Sequence, residues 1–416
     1  MPERLFQNPR NLGNQIMKKA HKLLCILGIA LMCCPFYSSA QKQKKPFVWQ
    51  ESSTDTCLHF GLQREMPVFL NQAREQLSFP MAWQNQPKKT KYNKWRKAAR
   101  QVVFDCMGTL PPTTKDFDCK IVDSEDRGKY IAYKVELNIS DWERIPAYLL
   151  RPKGEGKFPA VLMLHDHGAK FSIGKEKVIK PFNVSEAVMK DAESWSVTCY
   201  DGNFVGDFYA ENGYVVFAID ALFWSERGRK EGIDYNAQQA LASNLQQLGM
   251  SLCGVITADD IRSAEFLQSL DYVDKNRIFS VGLSMGSHRS WMLNACCDIV
   301  KGGVAVCWMT NSDQQMSSEN HRNTGGSVYT MSLPFIRSYL DFPHVASIAC
   351  PKPMYFINGD HDKLFPLKGV LEAHETMREV WESQGAGQHF RSEIWDAPHF
   401  FSKGMLEESL KFLNQY

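Results

Sequence analysis

Ser284 stands in Gly282-Leu283-Ser284-Met285-Gly286, a Gly-x-Ser-x-Gly run. Residues 277–281 before it are short and apolar and read as a buried strand; residues 287–297 after it carry helix formers. A strand that turns sharply into a helix with serine at the apex exposes the hydroxyl and lays the helix N-terminus beneath it, where amide N–H groups can face developing negative charge. The two glycines leave room for the strained turn and for close packing of the helix on the sheet.

A serine hydroxyl is a weak nucleophile without a base, and the base needs an acid to orient it. In such a fold the chain order is serine, acid, histidine. The acid is expected in the loop after the apolar run 353–357, in Asn358-Gly359-Asp360-His361-Asp362-Lys363-Leu364-Phe365-Pro366. Asp362 fits the pattern Gly-x-x-Asp-x-x-x-Pro; Asp360 competes with it but reads as a turn-capping residue. His399 follows a further strand run at 391–395 and precedes a final helix at 405–415, so it takes the base role. His361, His374 and His389 read as structural or surface residues. Two N–H donors must receive an oxyanion: that of Met285, directly after the nucleophile, and that of His167, in the loop His165-Asp166-His167-Gly168 after the run 160–164. The His-Asp-His triplet contains metal-ligand types, but adjacent residues seldom converge on one ion and no matching cluster appears elsewhere in the sequence. No metal and no cofactor is expected.

The elements that must position these residues follow from periodicity. Around Asp116 apolar residues alternate with polar ones (Phe117, Cys119, Ile121, then Ile131, Tyr133, Val135, Leu137), with a turn at Asp126-Arg127-Gly128 and another strand at 145–150. These are antiparallel signals. From Ala160 onward strands alternate with helices, which predicts a parallel sheet with crossover helices. The expected fold class is α/β: a doubly wound, mostly parallel sheet with an antiparallel N-terminal edge. Ser284, Asp362, His399 and the 165–168 loop all fall at carboxyl ends of predicted strands, where such sheets carry their sites. Three long connections, 170–207, 221–250 and 310–343, can cover those ends; they carry Trp195, Trp224, Arg227, Tyr235, Asn311 and His321. Trp224, Trp308 and His165 are the expected substrate contacts, since aromatic rings at such a mouth can stack on sugars, although ordinary lid packing would use the same residues.

Residues 41–115 read as a helical extension before a catalytic domain at 116–416. Trp95, Ala98, Ala99, Val102, Val103, Cys106 and Met107 repeat at helical spacing. Lys88, Lys89, Lys91, Lys94, Arg96, Lys97 and Arg100 crowd the same stretch and read as a solvated face rather than a partner-binding patch. The 416 residues carry a formal net charge of only +2, so nothing points to nucleic acid or an anionic membrane as partner. Residues 1–40 contain a basic run from Met17 to Lys22, an apolar run too short to span a bilayer, and Ser38-Ser39-Ala40 before Gln41. This reads as a signal peptide, with Met17 as an alternative start, and it places the mature chain outside the cytoplasm, periplasmic or extracellular, with no stable membrane span. A membrane anchor and a lipoprotein cysteine at Cys33 or Cys34 are the weaker readings. Of the 12 cysteines, nine follow residue 40, an odd number whose pairing sequence does not decide.

Beyond these residue-level readings, the chain resembles the α/β-hydrolases of the dienelactone-hydrolase and acetyl-xylan-esterase-like group, found among exported bacterial proteins of polysaccharide utilisation. The matching stretches are Ile145-Pro146-Ala147-Tyr148-Leu149, Leu164-His165-Asp166-His167-Gly168, Gly213-Tyr214-Val215-Val216, Gly282-Leu283-Ser284-Met285-Gly286, Cys350-Pro351-Lys352-Pro353, Gly359-Asp360-His361-Asp362-Lys363-Leu364-Phe365-Pro366 and Pro398-His399. The resemblance covers residues 115–416. It implies a Ser-Asp-His hydrolase acting on carboxylic esters, with an ester-bearing small molecule or acetylated glycan as partner. Dienelactone hydrolases carry cysteine as nucleophile; Ser284 points away from that activity. Two other classes compete: a serine peptidase on the same fold, whose relatives usually add a large propeller domain for which the N-terminal region is too short, and a glycan-binding pseudo-hydrolase, which would not need all three residues.

Overall fold

Runs that are apolar at every position make the middle of one sheet, because strands covered by helices on both faces have no solvent side. The strands are β1 (Lys120–Asp126), β2 (Tyr130–Asn138), β3 (Arg144–Pro152), β4 (Phe158–Leu164), β5 (Val215–Ile219), β6 (Val273–Leu283), β7 (Gly302–Val306), β8 (Met354–Gly359) and β9 (Phe390–Trp395). Every residue of β5, β7 and β8 is buried. The computed structural model describes residues 68–316 and 329–416. The expected signal segment with Met17, residues 41–67 of the extension, Cys57 and His321 lie outside the described residues.

The nine strands are hydrogen-bonded in the order β1-β2-β3-β5-β4-β6-β7-β8-β9. β1, β2 and β3 are antiparallel, and β3 meets β5 antiparallel. All remaining pairs are parallel. The mostly parallel sheet with an antiparallel edge is therefore as the periodicity predicts. From β4 the chain crosses outward to β5, then returns to β6 on the other side of β4 and proceeds through β7, β8 and β9. The carboxyl ends of β4 and β6 thus flank the point where the winding reverses, which is where open sheets leave a crevice.

The first strand departs from the expected alternation. β1 begins at Lys120, not at Phe117, and Ile121 and Val122 are 63% and 55% exposed. It pairs on one side only, with a register shift between Ile121 and Asp123, so its face is not set by a core. Phe117 instead packs edge-on against Phe266.

Eleven helices surround the sheet among the described residues: α1 (Val68–Glu75), α2 (Tyr92–Met107), α3 (Glu186–Tyr200), α4 (Val205–Glu211), α5 (Tyr235–Gln247), α6 (Leu252–Ser269), α7 (Met285–Cys296), α8 (Ser312–Gln315), α9 (Phe342–Ser347), α10 (Leu367–Ser383) and α11 (Lys403–Leu413). Tyr200, Val205, Tyr209, Met405 and Phe412 from α3, α4 and α11 build the core on one face. On the other face α2 brings Tyr92, Trp95, Ala99, Val103 and Met107 against Trp291, Met292, Ala295 and Cys296 of α7.

That packing explains how α7 can be buried at all twelve positions despite its polar residues. Arg289 makes a double hydrogen bond to Asp260 (3.0 and 2.7 Å), and Asn294 donates to the Ser280 hydroxyl (2.9 Å). At the carboxyl end, cations meet the free carbonyls and the helix dipole. Arg100 donates to the Ala295 carbonyl (2.8 Å), and Lys352 donates to those of Asn294 (2.7 Å) and Cys297 (2.5 Å). Arg96 and Arg100 both pair with Asp298. These two members of the basic run are therefore ties to the end of α7 rather than part of a freely solvated face. The eight described cysteines are all free thiols.

Candidate active site

Ser284 sits between β6 and α7 with φ 57° and ψ −121°, a conformation that non-glycine residues adopt only when the surroundings impose it. The surroundings here are hydrogen bonds and two glycines. The Ser284 N–H donates to the Val306 carbonyl (2.8 Å), and its own carbonyl accepts from His288 (3.0 Å). A Cβ on Gly282 would stand 2.4 Å from the Gly286 carbonyl, and one on Gly286 would stand 2.0 Å from the Leu164 carbonyl oxygen. Backbone oxygen does not move aside as a flexible side chain does, so both positions exclude any larger residue. The second contact also shows how closely the elbow presses on the end of β4. Because α7 starts at Met285, that residue's N–H is one of the helix-terminal amides with no partner inside the helix.

Asp362 and His399 are brought together by the loops after β8 and β9. His399 Nδ1 donates to Asp362 Oδ2 at 2.7 Å, while Asp362 Oδ1 accepts the Leu364 N–H at 2.8 Å. The carboxylate is 1% exposed and the imidazole 21%, so the acid is shielded while the ring keeps an open edge. His399 stacks on Phe365 with centroids 6.1 Å apart. The two loops are laced by backbone: the Asp360 N–H donates to the Trp395 carbonyl (3.0 Å) and the His361 N–H to the Ala397 carbonyl (3.1 Å). Asp360 spends its carboxylate on the Ala397 N–H (3.2 Å), a backbone-capping role and not a bond to the His399 ring. His361 is exposed beside Asp396, His374 is buried against Asn358, and His389 bonds the Pro351 carbonyl.

Cys307, directly after β7, is drawn into the same group. Its Sγ, an Asp362 oxygen and a His399 nitrogen lie within 4.8 Å of one another. Its N–H donates to the Ile357 carbonyl, and its thiol points to the Phe400 carbonyl at 3.6 Å. Burial, and then the neighbouring Asp362 charge, push the thiol pKa up to about 12, so it stays protonated at neutral pH. Sequence marks Cys307 only as a small residue in an apolar run; its place beside the pair depends on the register of β7 with β8. A second cluster, Glu176, Asp220 and Glu226, already holds a cation: Lys175 Nζ lies 2.9, 2.8 and 2.6 Å from their oxygens.

The loop after β4 is locked from several directions. His165 accepts the Ala221 N–H on Nε2 (2.9 Å), which leaves the proton on Nδ1 for the Asp166 carbonyl (2.8 Å). His167 accepts the Ala169 N–H on Nδ1 (3.0 Å) and so donates from Nε2 to Gln238 of α5 (2.9 Å). Burial holds both imidazoles neutral, His167 at about 4 and His165 well below its ordinary value. The Asp166 carboxylate receives the Tyr200 hydroxyl (2.6 Å) and the Trp195 indole N–H (3.0 Å). Gly168 has φ 54°, and a Cβ there would meet Trp195 at 2.1 Å.

The three expected substrate contacts are all buried. His165 is fully buried with both ring nitrogens bonded to protein, so it has no polar atom left for a ligand. Trp224 is also fully buried and spends its indole N–H on the His167 carbonyl (3.3 Å). Trp308 is enclosed by His288, Trp291, Phe342 and Phe365, the last of which stacks on His399. A tryptophan in a long connection signals burial as readily as a binding face, and sequence does not separate the two.

Comparisons with known proteins give the family and the fold. The family model described as Abhydrolase family matches residues 63–389, and the chain belongs to that family. It is 25% identical over 322 residues to the Bacillus subtilis (strain 168) protein named "Putative hydrolase YtaP", covering 77% of this chain and 99% of that one. Among solved structures it superposes with a TM-score of 0.62 on a "putative acetyl xylan esterase" from Bacteroides fragilis NCTC 9343, at 15% identity, covering 79% of this chain and 81% of that one. A glucuronoyl esterase from Solibacter usitatus gives a TM-score of 0.57 at 14% identity, covering 80% and 95%. At such identities the likeness to these structures is one of fold.

Proposed function

We propose that this member of the Abhydrolase family is a serine hydrolase of carboxylic esters, acting on acetylated glycans by a Ser284-Asp362-His399 acyl-enzyme mechanism. The observation that carries the reading is the 2.7 Å bond from His399 Nδ1 to Asp362 Oδ2. An ionised carboxylate only accepts, so the bond puts the imidazole proton on Nδ1 and leaves the Nε2 lone pair free to take a proton. His399 removes the Ser284 proton as the hydroxyl attacks the ester carbonyl. Asp362 holds the ring and stabilises its charged form. The N–H groups of Met285 and His167 receive the oxyanion, and water then attacks the acyl-enzyme with His399 again as base. The chemistry needs no cofactor.

The substrate class is supported by the fold, shared with proteins named as an acetyl xylan esterase and a glucuronoyl esterase, and by residues 17–40, which read as an export signal that would bring the chain to extracellular polysaccharide. The test is hydrolysis of 4-nitrophenyl acetate by wild type and Ser284→Ala, followed by acetate release from acetylated xylan and from pectin. Wild type is expected to turn over both the small ester and one of the polysaccharides, while Ser284→Ala folds but does neither. Wild-type rates in Ser284→Ala would overturn the nucleophile. Activity on amides but on no ester would favour the peptidase reading.

A further inference from the structure

Lys177 is a buried cation on which the sequence places no role. It lies in the connection between β4 and α3 with no exposed surface. Its Nζ donates to the carbonyl oxygens of Asp166 (3.0 Å) and His167 (2.8 Å), and it stands 3.5 Å from the Asp166 carboxylate. An ammonium group is expensive to bury unless it is fully paired, so these contacts settle where it sits.

Their geometric consequence reaches beyond stability. In a trans peptide the carbonyl of one residue and the N–H of the next point in opposite directions. With the carbonyls of Asp166 and His167 both turned to Lys177, the N–H groups of His167 and Gly168 are both turned away from it. The same loop begins at Leu164 and His165, whose carbonyl oxygens lie 2.0 and 3.2 Å from where a Gly286 Cβ would be, so the loop borders the elbow. Two consecutive amides are thereby held facing away from one buried cation, in a loop that borders the elbow. The Trp224 indole donates to the same His167 carbonyl, but at 3.3 Å and without charge it is the weaker anchor.

Resting on the ester-hydrolase reading above, we propose that Lys177 is a positioning residue: it sets the oxyanion-binding His167 amide by clamping the carbonyls on either side of that residue's N–H, those of Asp166 and His167. It touches no substrate. Its removal lets the two peptide planes turn, so the loss falls on the transition state and not on substrate binding.

The experiment compares wild type, Lys177→Met, Lys177→Gln and Ser284→Ala on 4-nitrophenyl acetate, with folding checked by circular dichroism. Affinity for a trifluoromethyl ketone, which forms a tetrahedral oxyanion adduct, is measured alongside. Lys177→Met is expected to lower kcat about 100-fold with KM changed less than threefold, and to weaken the ketone by a similar factor. Lys177→Gln keeps neutral N–H donors and is expected to lose less, though more than tenfold; it decides the matter if the methionine variant does not fold. A folded variant of either kind with kcat within threefold of wild type overturns the proposal, and so does a fall in kcat with ketone affinity unchanged. If Ser284→Ala retains wild-type activity, the ester-hydrolase reading fails first and this proposal falls with it.

Discussion

Replacing Asp362 by asparagine tests the arrangement most sharply, because the structure dictates how the amide must sit. Asp362 Oδ1 accepts the Leu364 N–H at 2.8 Å, and an amide nitrogen cannot accept. The asparagine oxygen therefore keeps that position, and the NH2 group takes the place of Oδ2, 2.7 Å from His399 Nδ1. Nδ1 must then accept, which moves the imidazole proton to Nε2, where a lone pair is needed to receive the serine proton. The expected loss is about 10⁴-fold in kcat, equivalent to roughly 5.4 kcal/mol of transition-state stabilisation. Asp362→Ala imposes no tautomer on the ring and is expected to lose no more than the asparagine variant, although it removes more atoms. Asp360→Asn can still offer an oxygen to the Ala397 N–H and is expected to stay within tenfold of wild type. The assay is kcat and KM on 4-nitrophenyl acetate, with thermal midpoints recorded to exclude unfolding. Activity in Asp362→Asn within tenfold of wild type, or a collapse in Asp360→Asn instead, would refute the assignment of the acid.

Gly286→Ala is expected to destabilise the chain by about 3 kcal/mol or more and to abolish turnover, since the new Cβ would lie 2.0 Å from the Leu164 carbonyl; a urea midpoint equal to that of wild type would show that the elbow does not press on β4. His374 gives a pH dependence. Burial, and then Arg378, push its imidazole pKa down to about 3 from the ordinary 6.5. Between those values the unfolded chain binds more protons than the folded one, so stability present above pH 6.5 falls as the pH is lowered towards 3. At pH 4.5 this one group costs roughly 2 to 3 kcal/mol. His374→Gln, which can still donate to Asn358, is expected to show a smaller drop in urea midpoint between pH 7 and pH 4.5; an equal drop in both proteins would remove His374 as a cause.

The features legible in the sequence are those set by local rules. Gly282 and Gly286 around Ser284 announce a turn that only glycine permits, and the clashes a Cβ would meet bear out that reasoning. Apolar runs without a polar side predict β4 and β8, and the alternation of strands with helices from Ala160 onward predicts the parallel sheet. Once the sheet is assumed, the chain order of Ser284, Asp362 and His399 follows from which strand each one ends. The bond from His399 to Asp362 rather than to Asp360 was readable from loop spacing, though only the folded loops show Asp360 engaged elsewhere.

What the tertiary structure alone decided concerns residues whose role depends on neighbours distant along the chain. Trp224 and Trp308 look like candidates for a binding mouth, and only packing shows that both indoles are buried. Arg96 and Arg100 read as part of a solvated basic face, yet docking of α2 ties them to Asp298 at the end of α7. Cys307 comes beside Asp362 only through the pairing of β7 with β8. Lys177 carries no motif, and its place is set by two carbonyls ten and eleven positions earlier that accept from its ammonium group. Turn chemistry and hydrophobic period act over a few residues and are written in the sequence. The placement of a single buried charge is settled by long-range packing and the cost of leaving it unpaired, and it becomes visible only when the chain is folded.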